Sequence, residues 1–296
     1  MIDDETVPQL IAMALREDLG DLGDVTGRIV PEHVVARGSV VARSGGTIAG
    51  TRIAAQVLER VEPGARLEVL VKDGEVAARG APVARIEGPA RGVLAAERTL
   101  LNFMQRLSGI ATATRRFVDA IAGTGARIYD TRKTPPGWRV LAKYAVRCGG
   151  GVNHRMGLYD QVMTKDNHLA LFGGEPRGLP GMIAAAKRSA PPGTRVEVEV
   201  TTVEGALVAT REGADIVLLD NMRPEDMAAA VREVRALAAG LGRARPPELE
   251  ASGGITLENV RKAAETGVDR VSVGWITHSA PALDLALDLE LSGELA

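Results

Sequence analysis

The chain has 296 residues and a formal net charge of −2, with aromatic residues at only 3%. That balance offers neither the basic face of a nucleic-acid binder nor stacking platforms for bases, and no apolar run approaches the roughly 20 residues needed to span a bilayer. The start, MIDDETVPQL, lacks the basic and apolar segments of a signal peptide, and one cysteine, Cys148, permits no internal disulfide. These features predict a cytoplasmic protein with small-molecule partners, no nucleic acid and no membrane.

Residues 8–19 place Leu10, Ile11, Ala14 and Leu15 at helical spacing. The stretch EDLGDLGDVTG that follows reads as a glycine-punctuated acidic turn. From 38 to 88 the short runs GSVVAR, GTIAG, RLEVLV and VKDGEVAARGAPVARIEG predict a small sheet, interrupted by a helix near 51–61. The last run is similar to the hairpin of a biotinyl or lipoyl carrier. Lys72 lacks the attachment context, so only the small-sheet topology carries over. Residues 93–107 predict a helix with Leu100, Phe103, Met104 and Leu107 on one face. Arg98, Asn102 and Gln105 lie on the other, with Arg106 beside them. A domain boundary is placed just after, at 113.

From Ala126 the rhythm becomes βα. Strands are predicted at 126–132, 160–167, 194–200, 214–221, 248–254 and 268–274, with helices such as 225–239 and 256–265 between them. Apolar strands alternating with helices indicate a parallel sheet covered by helices. Six strands are too few for an eight-stranded barrel. The fold class is therefore α/β, an incomplete TIM-like α/β barrel, with a doubly wound sheet as its competitor. The first strand lacks the glycine-rich fingerprint of the dinucleotide-binding version.

Polar residues cluster at the carboxyl ends of these strands, where both folds build their sites. The region 127–168 holds eight Lys/Arg against three Asp/Glu, an excess of +5 in a chain that totals −2. These charges arrive beside Gly149-Gly150-Gly151 and next to His and Asn, which favours an anion site over a solvated helix face. Arg132 and Arg155 suit planar carboxylates. Lys133 and Lys165 suit point neutralisation, or alternatively a Schiff base. Ser252-Gly253-Gly254 before a helix, with Gly274 and His278 after the next strand, fit a phosphate. Glu199 and Asp220 end adjacent strands and suit ribose hydroxyls or a Mg²⁺ ion. Glu197 shares a face with Glu199, and alternation ranks the two only weakly.

Several long stretches carry a resemblance: EDLGDLGDVT at 17–26, ERTLLNFMQRLSGIAT at 97–112, DTRKTPPGWR at 130–139, KYAVRCGGGVNHRMGLYDQVMTKDNH at 143–168, DIVLLDNM at 215–222, EASGGI at 250–255 and GVDRVSVGWITHS at 267–279. In these and in their order the chain resembles the quinolinate phosphoribosyltransferase family, the carboxylating nicotinate-nucleotide pyrophosphorylases, nearly end to end. The resemblance implies an N-terminal α/β sandwich over 1–113, joined by a C-terminal tail at 281–296, and a barrel domain over 114–280. The implied reaction joins quinolinate to phosphoribosyl pyrophosphate, giving nicotinate mononucleotide, pyrophosphate and CO₂ in de novo NAD biosynthesis.

By the same resemblance, quinolinate meets Arg132, Lys133, His154, Arg155 and Lys165. Phosphoribose meets Glu199, Asp220, Ser252, Gly253, Gly254, Gly274 and His278, and Thr131, Val273 and Trp275 are further expected substrate-binding positions. Lys133, Lys165, Glu199 and Asp220 are the expected catalytic positions. Mg²⁺ is the expected cofactor, on Glu199 and Asp220 directly or through water. A homodimer is expected in which Arg106 reaches the neighbouring site, with higher assembly left open. Pro135 and Trp138 depart from the family pattern, and 242–247 is an extra stretch. A phosphoribosyltransferase with another acceptor (as in molybdenum-operon relatives), a Schiff-base lyase and a catalytically silent binding protein are the competing readings.

Overall fold

The computed structural model describes residues 5–290. Its contacts divide it into two units. The first takes the described part of Met1–Arg115, together with Thr134–Gly150 and the described part of Trp275–Ala296. The second takes Arg116–Lys133 and Gly151–Gly274. Segments 134–150 and 275–280, placed in the barrel domain from sequence, thus belong by contact to the first unit. Trp138 stacks on Phe103 with ring centroids 5.1 Å apart, and the Tyr144 hydroxyl donates to Asp73 at 2.6 Å. Both partners lie within the first unit, and no sequence period reports such pairings.

The first unit is built on a four-stranded antiparallel sheet in the order Leu285–Glu290, Val35–Ala42, Pro82–Pro89, Arg66–Val69. The C-terminal strand therefore pairs along Val35–Ala42, with Leu285 opposite Ala42 and Glu290 opposite Arg37. The remainder of the 281–296 tail, 291–296, lies outside the described residues. Helices Thr6–Leu19, Thr51–Val61 and Arg139–Cys148 belong to this unit. Thr51–Val61 places Ile53, Val57 and Leu58 in the core, the spacing an amphipathic helix needs.

Helix Ala90–Ala120 runs thirteen residues past the sequence expectation at 107. Ser108-Gly109 reads locally as a stop, and the fold uses both residues for close packing. A Cβ on Gly109 would stand 2.0 Å from the Pro281 carbonyl oxygen. The Ser108 hydroxyl accepts from the Ala49 N–H at 2.9 Å and lies 3.1 Å from its carbonyl. Tertiary contact here overrides the low helix propensity of glycine.

The second unit carries a six-stranded parallel sheet. Across it the strands run Arg127–Tyr129, Arg270–Ser272, Glu248–Ser252, Ile216–Asp220, Val196–Val200, Val162–Thr164. Each strand from the second to the sixth lies beside its successor, and the sixth returns beside the first. The break falls between the first and second. A doubly wound sheet reverses direction at a switch point, and this order contains no such reversal. It is the order of a barrel with strands missing. Val196, Val198 and Val200 are buried on one face of their strand, while Glu197 and Glu199 alternate onto the other. In the first unit, Gly50 closes a turn at φ 97 and abuts Leu107 so tightly that a Cβ would lie 2.8 Å from its Cδ1. Among the described residues, no helix is long and apolar enough to cross a membrane.

Candidate active site

At the carboxyl ends of these strands a cleft of about 620 Å³ opens within the second unit. Thr131, Arg132, Lys133, His154, Arg155, Lys165, Glu199, Asp220, Ser252, Gly253 and Gly254 line it together. Strand Arg127–Tyr129 delivers Asp130 and the three residues after it. Strand Val162–Thr164 delivers Lys165, and the ends of the next three strands deliver Glu199, Asp220 and Ser252. Val273 and Gly274 follow the sixth strand, Arg270–Ser272. Val273 is buried, with its N–H bonded to the Tyr129 carbonyl at 2.9 Å, so it supports the sheet edge. Trp275, His278 and Arg106 belong to the first unit. There Arg106 donates to the carbonyls of Thr277 at 3.0 Å and Ala280 at 2.5 Å.

The loop 151–155 is tied down by Asp130, which is fully buried. Its carboxylate accepts from the His154 N–H at 2.8 Å and from the Asn153 amide at 2.7 Å. Arg155, itself buried, reaches the Gln161 carbonyl at 3.3 Å. Burial pulls the Arg155 guanidinium below its ordinary range, and neighbouring Arg132 adds to that fall. Two guanidiniums that repel one another are a site for a multiply charged anion, whose arrival relieves both effects.

Below these cations lies a buried ionic floor. His154 Nε2 stands 3.1 Å from Glu197 and 3.5 Å from Glu250. Arg270 Nε stands 2.8 Å from Glu250, and the Arg270 guanidinium also covers the Tyr129 ring at 4.0 Å. Gln161 donates to Glu197. Burial opposes a charged imidazole, but the hydrogen bonds and charges of Glu197 and Glu250 outweigh it and raise His154 to about 9. The Arg155 N–H approaches Nδ1 at 2.8 Å, which favours the neutral ring. The two carboxylates at Nε2 thus favour the charged ring, while the Arg155 N–H at Nδ1 opposes it.

His154, Glu197 and Glu250 lie close enough together to suggest a metal site. Arg270 already engages Glu250 and Gln161 engages Glu197, so the contacts these three groups make are those of an ionic network.

The opposite half of the cleft is acidic. Glu199 lies 3.5 Å from the Lys165 ammonium. Burial raises the Glu199 carboxyl, Lys165 opposes that rise, and Asp220 reinforces it. Two oxygen-donor groups that repel one another at adjacent strand ends fit a hard divalent cation. The Asn221 amide holds Asp220 at 2.8 Å, and Asn221 takes a left-handed φ of 53. Gly253, at φ 86, packs on it, and a Cβ there would stand 2.4 Å from Asn221 Oδ1. The Ser252–Gly254 turn can then lie beside Asp220, and the helix that follows begins only at Val260 rather than at 256 as the sequence suggests.

Met163, Asp166, Leu218, Asn221, Glu250 and Ser272 also line the cleft, and the sequence assigns none of them a role. Period-two alternation carried part of the signal. Glu250 is two residues from Ser252, Leu218 two from Asp220, and Ser272 two from Gly274. Glu250 and Arg270 are charged residues of parallel strands whose side chains are buried, and a buried charge on a strand is itself a mark of an interior site.

A parallel sheet in barrel order, with cations and carboxylates converging at its carboxyl edge, defines an α/β enzyme for small anionic substrates. Comparison with known proteins names the group. The C-terminal domain of quinolinate phosphoribosyl transferase matches residues 110–288, and its N-terminal domain matches 24–108. The nicotinate-nucleotide pyrophosphorylase [carboxylating] of Mycobacterium leprae is 44% identical, covering 94% of this chain and 95% of its own. A probable enzyme of the same name from Bacillus subtilis is 39% identical, with 94% and 91% covered. The structure of nicotinate-nucleotide pyrophosphorylase from Francisella tularensis superposes with a TM-score of 0.88 at 35% identity, covering 97% and 96%. The chain belongs to the quinolinate phosphoribosyl transferase family.

Proposed function

We propose that this chain transfers the phosphoribosyl group of phosphoribosyl pyrophosphate to quinolinate with loss of CO₂, giving nicotinate mononucleotide and pyrophosphate in de novo NAD biosynthesis. The observation that carries the reading is the two-sided cleft. Arg132, Lys133, His154, Arg155 and Lys165 line the same cleft as Glu199, Asp220 and Ser252 to Gly254; in this reading the first group would hold the dicarboxylate and the second the phosphoribose.

The chemistry demands little else. As the bond from ribose C1 to pyrophosphate breaks, C1 gains oxocarbenium character, which Glu199 and Asp220 favour electrostatically. The quinolinate ring nitrogen attacks C1. The resulting pyridinium stabilises the electron pair left when the 2-carboxylate departs as CO₂, and a proton then takes its place. No protein nucleophile is required, so positioning and charge supply the rate. Glu199 and Asp220 would hold Mg²⁺, which neutralises phosphate charge. Lys165, ion-paired with Glu199, suits an ammonium role better than Schiff-base chemistry.

In this reading the working protein is a cytoplasmic homodimer, and Arg106 serves the neighbouring subunit's cleft. CO₂ release from carboxyl-labelled quinolinate, with and without phosphoribosyl pyrophosphate, tests the function. Release that requires both substrates supports it. No release under any Mg²⁺ concentration overturns it.

A further inference from the structure

Resting on that reading, we infer that Glu175 is a positioning residue that sets the spacing between Lys165 and Glu199. It stands outside the cleft lining and touches none of the groups assigned above. Its carboxylate accepts from four donors on the strand–helix junction just beyond Glu199. Oε2 takes the Thr201 N–H at 3.0 Å and its hydroxyl at 2.9 Å. Oε1 takes the Thr202 N–H at 3.1 Å and its hydroxyl at 2.5 Å. A carboxylate has about four lone-pair sites, and all are used here.

The surroundings are shaped for this contact. Thr202 caps helix Val203–Arg211, and its hydroxyl oxygen also accepts from the Gly205 N–H at 3.0 Å. A Cβ on Gly205 would stand 1.9 Å from Glu175 Oε1. Gly205 is thus an absence of side chain that makes room for a charge. Glycine in a first helical turn is otherwise unfavourable, and Gly205 has no positive φ to excuse it.

The clamp closes a ring through the cleft. Glu175 sits on the connection that begins at Lys165, and backbone bonds wind that connection from one to the other. The Leu169 N–H donates to the Lys165 carbonyl at 2.9 Å, and the Gly174 N–H donates to the Leu169 carbonyl at 3.1 Å. On the far side Thr201 follows Glu199 by two residues. The ring is completed by Lys165 Nζ against Glu199 at 3.5 Å. The connection that starts at Lys165 is therefore tied, at a second point away from the substrates, to the end of the strand Val196–Val200 that carries Glu199. Holding that pair against relaxation is what a site dependent on placement requires, since displacements of about 1 Å can lower rates about a hundredfold.

The test compares Glu175→Ala, Glu175→Gln and Gly205→Ala. The last leaves the carboxylate in place and fills its seat. Amide hydrogen exchange is followed over 162–170 and 199–206, alongside steady-state kinetics and melting temperature. We expect faster exchange in both segments and a rise of about tenfold or more in KM for phosphoribosyl pyrophosphate. Melting should be little changed, and Glu175→Ala/Gly205→Ala should be no worse than either single variant. Faster exchange confined to 199–206, or kinetics within twofold of wild type, would overturn the inference by reducing Glu175 to a local helix cap. A wild-type protein that fails to consume quinolinate would sink the proposed reaction instead. The exchange over 162–170 would still decide whether Glu175 couples the two loops.

Discussion

His154 Nε2 lies 3.1 Å from Glu197 Oε2 at a depth where Glu197 is fully buried. The pair is one link in an alternating chain that runs from Arg195 through Glu248, Arg270 and Glu250 to His154 and Glu197. The chain starts at the exposed Arg195 and half-exposed Glu248 and becomes buried from Arg270 onward, reaching the cleft lining at His154. Burial raises the Glu250 carboxyl, but His154 and Arg270 outweigh it and hold Glu250 below its ordinary range.

This network has a pH signature. Glu197 and Glu250 hold the His154 imidazole of the folded protein up at about 9, above the ordinary imidazole value of 6.5. Its contribution to stability is then fully present below about pH 6.5 and is lost as pH rises through about 9. Titration of the His154 ring carbon resonances should give a midpoint near 9, and Glu197→Gln should lower it. A midpoint near 6.5 in the wild-type protein would show the ring to be neutral and the floor to be charged otherwise. Glu250→Gln, which leaves Arg270 without its closest partner, should cost about 3–5 kcal/mol in urea unfolding.

The cationic half should govern the dicarboxylate. Arg132→Ala and Lys165→Ala are each expected to weaken quinolinate binding or turnover at least tenfold, or about 1.4 kcal/mol. Kinetics near wild type in both variants would remove the pocket assignment.

Sharing of sites predicts complementation. An Arg106→Ala chain mixed with a Lys165→Ala chain should recover part of the activity, because one of the two clefts in a heterodimer would have both groups intact. Proven heterodimers with no recovery would confine Arg106 to its bonds with Thr277 and Ala280.

Gly253 should be intolerant of alanine for two reasons that add. Its φ of 86 disfavours a side chain, and the new Cβ would displace Asn221 from beside Asp220. Gly253→Ala should lower stability by about 1–3 kcal/mol and raise KM for phosphoribosyl pyrophosphate more than KM for quinolinate. Equal changes in the two constants would argue against its place in the phosphoribose half.

Much of this site was legible in residue order. Arg132, Lys133, Lys165, Glu199 and Asp220 follow recognisable strand runs, and the carboxyl edge of a parallel sheet is where such residues converge. Glu250 and Arg270 escaped attention because a charge inside an apolar run has no partner in the sequence. Their partners come from other strands, and register alone brings them together. Glu175 escaped for the same reason. It lies in a polar connection, and its four donors lie on a different loop.

The amino-acid order by itself determined the βα rhythm, the cationic segment between 127 and 168, and the motifs that mark the family. All are local in the chain, and periodicity and composition report them directly. Only the tertiary structure decided that the six strands return sixth beside first, that Arg139–Cys148 packs with the N-terminal unit, and that His154 is held by two buried carboxylates. Those outcomes rest on contacts between residues far apart in sequence, whose free energy depends on burial and on distances of a few ångströms.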